Sequence, residues 1–162
     1  MCAQRGDRLW CSALGSVFGG VSVRKFTIDE AERCLPKVRQ LVRRAQRLQD
    51  KIAYVLETND AVAEMSSEGG FHFFMTEQVR VNREFHRLYH QFYDALLKIQ
   101  EMGVIIRDLD EGMVDFPLRA SKEMFLCWQL GEERIDFWRD ASMCFDDRRP
   151  IIDVDAVISR VK

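Results

Sequence analysis

Five side chains between residues 103 and 138 have the chemistry to hold a divalent cation. They are three aspartates, a cysteine and a glutamate: Asp108, Asp110, Asp115, Cys127 and Glu132. Carboxylates bind hard cations, and a thiolate among them shifts the preference toward zinc or iron. The spacing is not that of an EF-hand, because Gly112 comes one residue early. The alternative, which we favour, is that the aspartates cap turns and that Cys127 is a small buried apolar residue.

A second candidate ligand set lies on one helix. His86, His90 and Asp94 follow each other at four-residue intervals, so that two imidazoles share a face and could reach one metal. The apolar seam of that helix lies on another face, and a solvated polar stripe is therefore the expected role.

The usual signatures of catalysis are missing from the sequence. Cys127 and Cys144 have no histidine close by, and there is no Gly-x-Ser-x-Gly elbow. Glycine-rich phosphate loops of the Walker or Rossmann type are absent as well. Whether the protein is an enzyme stays open.

Basic residues form an outer stripe on the first predicted helix: Arg33, Lys37, Arg44, Arg47 and Lys51. The segment from Gly103 to Asp155 is acidic, so one copy's basic helix could pair with another copy's acidic module. No aromatic residues interleave with the stripe as a single-strand binding platform requires, and nucleic acid is not an expected partner.

Composition describes one soluble domain without a strong charge. The chain has 162 residues, 47% hydrophobic and 31% charged, with a net charge of -2. Its five cysteines form no Cys-x-x-Cys pair, which favours a reducing, cytoplasmic location. Glycines and serines interrupt the uncharged stretch from Leu9 to Val23, which is too short and too polar to span a membrane. We expect residues 1–23 to be a disordered extension and residues 24–162 to be one domain.

Two long helices are predicted at residues 24–102. Thr27 and Glu30 have the spacing of a capping box, and a seven-residue apolar repeat follows. Pro36 could kink the first helix or make it start anew. Residues 66–70 form a break, after which Phe71 to Met102 is again helical, and the two helices make an antiparallel hairpin.

After Gly103 the spacing of the apolar residues changes from about three and a half residues to two. Alternation at Val104 and Ile106, at Val114 and Phe116, and from Met124 to Leu130 predicts a small antiparallel β-meander. A short helix is expected around Ile135 to Ala141, completing residues 103–145. The tail at 146–162 is polar and then carries an apolar patch at Val154, Val157 and Ile158. The predicted fold class is α+β.

Three segments carry a resemblance to a known family. They are FTIDEAERCLPKVR at the head of the first helix, GVIIRDLDEGMVDFP and FLCWQLGEERIDFW. Together they resemble the bacterial family of unknown function DUF 2203, over about Lys25 to Pro150. The most specific positions are Asp108, Asp110, Gly112, Asp115, Phe116, Pro117, Cys127, Trp128, Gly131 and Glu132. The resemblance implies a bacterial cytoplasmic protein without an established activity. In the family pattern a histidine follows the last tryptophan, whereas here Arg139 follows Trp138.

Taken together, the sequence favours a non-enzymatic interaction module that associates with itself or with a protein partner through its helices. The wide apolar seam and the charge polarity support that hypothesis, and no cofactor or membrane contact is expected. The competing hypothesis is a divalent-metal-binding or metal-dependent protein that uses the five residues named first.

Overall fold

The computed structural model describes residues 24–69, 71–121 and 123–152. Two helices are followed by five strands: α1 (Ile28–Gly69), α2 (Phe71–Glu101), β1 (Ile105–Asp108), β2 (Met113–Pro117), β3 (Met124–Gln129), β4 (Phe137–Asp140) and β5 (Arg149–Pro150). The strands form one antiparallel sheet in sequence order. The predicted α+β class, with its helical hairpin and β-meander, is confirmed.

The start of α1 is fixed by the predicted capping box. Glu30 N donates to Thr27 Oγ1 at 3.3 Å, and Thr27 N donates to Glu30 Oε2 at 2.9 Å. Arg119 adds an ion pair to Glu30 at 2.8 Å. The helix then runs through Pro36 to Gly69 without a new start.

The N-terminal end of α1 is joined to the turn between β2 and β3. Phe26 N donates to the carbonyl of Pro117, and Arg119 N donates to the carbonyl of Phe26, both at 2.8 Å. The Phe26 ring is fully buried and meets Phe116 edge to face, with 5.3 Å between centroids. The segment before the first helix is therefore part of the sheet's packing.

The hairpin buries an apolar seam between its helices. Ala45 and Leu48 of α1 pack with Leu88, Phe92 and Ala95 of α2. The predicted break at residues 66–70 is narrower in the structure, because α1 continues to Gly69 and α2 begins at Phe71. Residue 70 itself lies outside the described residues.

The larger core lies between one face of the sheet and the first half of α1. From the helix come Leu35, Val38, Leu41 and Val42, and from the sheet come Val114, Phe116, Met124, Leu126 and Trp128. These sheet residues alternate along β2 and β3, as expected for strands that bury one face. The predicted strands β1, β2 and β3 are confirmed, and every second residue of β2 and β3 belongs to the core.

The short helix predicted at Ile135 to Ala141 is wrong, because this segment contains β4. Trp138 is the Cα partner of Leu126, and Phe137 is the partner of Cys127. Aromatic side chains favour strands, and the free edge of β3 offers backbone hydrogen bonds that outweigh the local helical pattern. Strand β5 was not predicted either. The expected extension at residues 1–23 and the apolar patch at residues 154–158 lie outside the described residues.

In the part of the chain that the structure describes, the helices are α1 and α2. Neither contains an apolar stretch long enough to cross a membrane.

Candidate functional site

The face of the sheet turned away from α1 carries polar and sulfur-containing side chains. Asp115 lies between Val114 and Phe116, which point into the core, so its side chain points the other way. Its Cα partner on β3 is Cys127, and residues directly opposite each other share a face. Both side chains are fully buried.

Two arginines hold the Asp115 carboxylate. Arg107 Nε lies 2.6 Å from Oδ2, and Arg139 Nη2 lies 2.5 Å from the same oxygen. Arg139 is also buried, whereas the Arg107 side chain is 40% exposed. A buried carboxylate is stable only when it is paired and hydrogen-bonded, and these arginines supply both. We call these three residues the carboxylate cluster.

Phe125 lies beneath both guanidinium groups. Its ring centroid is 5.5 Å from Arg107 Cζ and 5.3 Å from Arg139 Cζ. Arg139 Nη1 also donates to the carbonyl of Met143 at 2.6 Å. Burial is the largest single influence on the pKa of Arg139 and lowers it, but the hydrogen bond to Asp115, the negative charge of Asp115 and the contribution of Cys127 together outweigh burial, and the pKa is raised. The Arg139 guanidinium therefore stays charged, and each of its three nitrogens donates a hydrogen bond.

Cys127 lies beside this cluster and is chemically quiet. Burial, followed by the negative charge of Asp115, raises the pKa of its thiol well above the ordinary value. Its sulfur contacts the carbonyl oxygen of Phe125 at 3.8 Å. Because the thiolate is the nucleophile and the metal ligand, the protonated thiol behaves here as a small buried side chain.

The turn between β1 and β2 contains Asp108 and Asp110 and docks on α1. Asp108 Oδ1 accepts from Glu111 N at 3.0 Å, which closes the turn, and Asp110 Oδ1 accepts from Gln49 at 2.6 Å. Gln46 donates to the carbonyl of Asp110 at 3.0 Å. Gly112 completes the turn at φ +67°, in the left-handed region that glycine adopts without strain.

Glu132 lies in the loop after β3 and is surrounded by donors. Its carboxylate accepts from Gln129 N at 2.9 Å and pairs with Arg148 at 2.8 Å. Its carbonyl accepts from Trp128 Nε1 at 3.0 Å and from Arg39 Nη2 at 2.9 Å. Arg39 also lies over the Trp128 ring, so this loop fastens the sheet to α1.

The five sequence-predicted ligands thus lie in three settings rather than one. Asp115 and Cys127 share the outer sheet face, Asp108 and Asp110 share a turn that docks on α1, and Glu132 belongs to the next loop. Within the part of the chain that the structure describes, no three histidine, cysteine, aspartate or glutamate side chains are placed to hold a metal ion.

The second candidate site is the outer surface of the hairpin. Exposed large apolar side chains in the described residues are Tyr54, Leu56, Val79, Tyr89, Leu97 and Ile152, and all except Ile152 lie on α1 or α2. The row at four-residue steps along α2, which we call the aromatic row, comprises Phe85, Tyr89, Tyr93 and Leu97. Each of its members is half-buried or exposed.

The rings of the aromatic row stack along the helix. Phe85 and Tyr89 have centroids 5.6 Å apart, Tyr89 and Tyr93 have centroids 4.7 Å apart, and the two tyrosine hydroxyls are 3.0 Å apart. The hydrogen bond to Tyr89 raises the pKa of Tyr93. Stacked aromatic side chains keep few rotamers, so the row is an ordered apolar surface.

The polar stripes identified in the sequence face solvent. His86 and His90 are exposed, and Asp94 pairs with Lys98 at 2.7 Å. The basic stripe on α1, from Arg33 to Lys51, is exposed too. These positions agree with the expectation of solvated helix faces.

Sequence reasoning missed the arginines that organise the sheet. Arg107 and Arg139 bind Asp115, Arg39 joins α1 to the Glu132 loop, and Arg148 pairs with Glu132 while lying 4.6 Å from the Phe137 ring centroid. The available signal was an arginine in the same strand-forming segment as Asp115, namely Arg107, eight residues earlier. That spacing indicates a contact only when the register of the two strands is known.

The fold and these contacts define a small α+β protein. It has a helical hairpin and a sheet whose outer face carries the ion pairs of Asp115 with Arg107 and Arg139. The chain belongs to the DUF2203 family, described as an uncharacterized conserved protein, whose family model matches residues 24–151. Neither a curated protein nor a solved structure matches the chain.

Proposed function

We propose that the protein is a non-enzymatic interaction module that associates with itself through its helical hairpin. The observation that carries this proposal is the aromatic row, an ordered apolar surface that the chain's own core leaves half-open. Contiguous exposed apolar surface is characteristic of interaction sites, whereas single exposed apolar residues are common on any protein.

The limited packing of the hairpin supports the same proposal. The sheet core covers α1 as far as Val42, and the turn between β1 and β2 reaches Gln46 and Gln49. Among the described residues beyond Gln49, the apolar contacts of α1 are with α2. Ile52 and Val55 on α1 and Val81 on α2 are only half-buried, although they continue the apolar seam. Two helices alone cannot enclose a wide apolar stripe, and a second hairpin would supply the missing layer.

The sheet face gives no comparable support for catalysis or for divalent-metal binding. In the carboxylate cluster Arg107 and Arg139 are both paired with Asp115, and the neighbouring Cys127 stays protonated. We therefore assign this face a structural role. Cys34 and Cys127 form no disulfide with any described residue, which is consistent with the reducing, cytoplasmic location that we propose for the module.

The proposal is tested by measuring the mass of the full chain in solution by light scattering coupled to size exclusion. We expect a dimer or a larger assembly, and Tyr89→Lys should shift it toward monomer. Ile152→Lys is the matched control, because Ile152 is 89% exposed and follows β5, outside both helices. A wild-type chain that stays monomeric up to a concentration on the order of 0.1 mM would overturn self-association as a function.

A further inference from the structure

The basic stripe of α1 is a straight line of positive charge. Its ends, Arg33 and Lys51, are eighteen residues apart, which is about five turns and about 27 Å of helix. At about 100° per residue, Lys37, Arg44 and Arg47 lie within about 40° of the line that joins the two ends. All five side chains are exposed, and no salt bridge within the described residues involves any of them.

The stripe faces away from the sheet. Val42, which packs in the core beneath the sheet, comes nine residues after Arg33, and nine residues are about two and a half turns. The two side chains therefore lie on opposite sides of α1. The sheet thus leaves the stripe open along its whole length.

Two acids of α2 lie close enough to interact with the stripe, but both already have partners. Asp94 interacts with the charge of Arg44 and forms a salt bridge with Lys98 at 2.7 Å. The other is Glu84, which is paired with Arg87. Each of these pairs is neutral, so the stripe keeps its positive charge although the net charge of the chain is -2.

We infer that the basic stripe binds the phosphate backbone of duplex DNA. The backbone of a duplex is a linear polyanion with about one negative charge per 1.7 Å of its axis, and lines of arginine and lysine neutralise it. At about 3.4 Å per base pair, the stripe spans about eight base pairs. This surface is separate from the aromatic row on α2, so the inference does not depend on self-association.

The spacing within the stripe favours DNA over double-stranded RNA. Its bases form two groups, Arg33 with Lys37 and, farther along α1, Arg44 with Arg47 and Lys51. The seven residues from Lys37 to Arg44 correspond to about 10.5 Å. The major groove of B-DNA is about 12 Å wide, so each group meets the phosphates of one strand across it. The major groove of A-form RNA is too narrow for this arrangement.

Single strands and anionic membranes fit the stripe less well. Single-strand binding depends on bases stacked on aromatic side chains, and the stripe contains none. A flat anionic membrane also meets the acids beside the stripe, which are Asp50, about 100° around α1 from Lys51, and Asp94 on α2. The expectation from the sequence that nucleic acid is not a partner used the single-strand criterion, which duplex DNA does not require.

The experiment measures binding of the full chain to a fluorescein-labelled DNA duplex of about 20 base pairs, by fluorescence anisotropy over a range of salt concentrations. For five phosphate contacts we expect the logarithm of the association constant to fall with the logarithm of the salt concentration at a slope of about -4.5. Duplexes of unrelated sequence should bind within about twofold of each other, because phosphate contacts carry no sequence information.

Substitutions on and off the stripe separate a local effect from net charge. Arg44→Gln and Arg47→Gln should each make the slope shallower by about one, and the double variant by about two. Arg134→Gln is the matched control, because it removes the same charge from a side chain that is 73% exposed in the loop between β3 and β4. It should leave the slope unchanged. Circular dichroism and the melting temperature show that each variant is folded.

Three outcomes overturn the inference. The first is the absence of binding at about 0.1 mM protein in about 50 mM salt. The second is an equal effect of Arg134→Gln and Arg44→Gln, which would assign the binding to net charge. The third is tighter binding to duplex RNA, or to vesicles that contain phosphatidylserine, than to duplex DNA. Light scattering on the same variants reports self-association separately, and we expect their assembly state to match that of the wild type.

Discussion

Arg139 on β4 reaches Asp115 on β2 across the intervening strand β3. The Nη2 and Oδ2 atoms are 2.5 Å apart, although neighbouring strands are separated by about 4.8 Å. Arg107 approaches the same carboxylate from β1. The buried Asp115 on β2 therefore connects β1 and β4 as well, and β4 is not hydrogen-bonded to either of the other two strands.

Removing Arg139 should destabilise the fold strongly. In Arg139→Met the buried Asp115 loses its main partner, and we expect a loss of about 3–5 kcal/mol in the free energy of unfolding. Arg134→Met is the control, because the Arg134 side chain is 73% exposed and its carboxylates are 3.7 and 3.8 Å away, so a change within about 0.5 kcal/mol is expected. Urea denaturation measures both. Equal effects of the two substitutions would contradict a structural role for the cluster.

Removing Arg39 should loosen the sheet from the helix. Its guanidinium donates to the carbonyls of Glu132 and Glu133 and lies over Trp128, so Arg39→Ala should cost about 1.5–3 kcal/mol. Arg43→Ala, on the exposed side of the same helix, should change stability by less than about 0.5 kcal/mol. Urea denaturation is again the measurement. A neutral Arg39→Ala would mean that the Glu132 loop is held without this contact.

Cys127 should resist alkylation in the folded protein. Its thiol is fully buried and its pKa is raised, so little thiolate is present at pH 8 and the reagent has no access. Iodoacetamide labelling followed by peptide mass spectrometry should modify the half-buried Cys34 first, and Cys127 only after denaturant is added. Stoichiometric labelling of native Cys127 would show that the outer sheet face opens readily.

The capping box should make stability depend on pH in the acid range. The backbone hydrogen bond from Thr27, and then Arg119, lower the pKa of Glu30 below its ordinary value of 4.5. A carboxylate of this kind stabilises the fold above its ordinary pKa, and that contribution is lost as the pH falls through the lowered value. Glu30→Gln should therefore have a lower melting temperature than the wild type at pH 7, and this difference should close as the pH falls through the lowered pKa of Glu30.

Two comparisons complete the capping-box test. Thr27→Ala should cost about 1 kcal/mol, since it removes the side-chain acceptor at the helix start. Glu57→Gln replaces an exposed glutamate farther along α1 and should leave the melting temperature unchanged at either pH. If the difference in melting temperature between Glu30→Gln and the wild type stayed constant from pH 7 to pH 3, the charge of Glu30 would make no contribution to stability.

The sequence predicted most of the fold because its local patterns are strong. The capping box, the seven-residue repeat and the change to period two after Gly103 each follow from neighbouring residues. Strand β4 could not be predicted in this way, because it depends on pairing with β3, and Phe137 and Trp138 gain their role from Cys127 and Leu126. Long-range pairing outweighed the local pattern there.

The candidate sites were predicted unevenly for the same reason. Asp115 and Cys127 belonged to the same predicted ligand set and lie opposite each other on β2 and β3. The metal hypothesis, however, depended on carboxylates that are close in sequence and separate in space. The arginines that hold Asp115 come from strands eight and twenty-four residues away. Their convergence depends on strand register, which residue spacing alone does not provide.

The attachment of Phe26 to Pro117 and Arg119 has a consequence for biosynthesis. Ribosomes make the chain from its N-terminus, and about ninety residues are added between Phe26 and its backbone partners. While α1 and α2 emerge, the head of α1 has only its local cap, and the apolar Phe26 ring has no aromatic neighbour at Phe116. Helices form within microseconds, whereas contacts of such long sequence separation wait for loop closure. The hairpin is therefore made first, and the beginning of the first helix is secured only after the middle of the sheet has been translated.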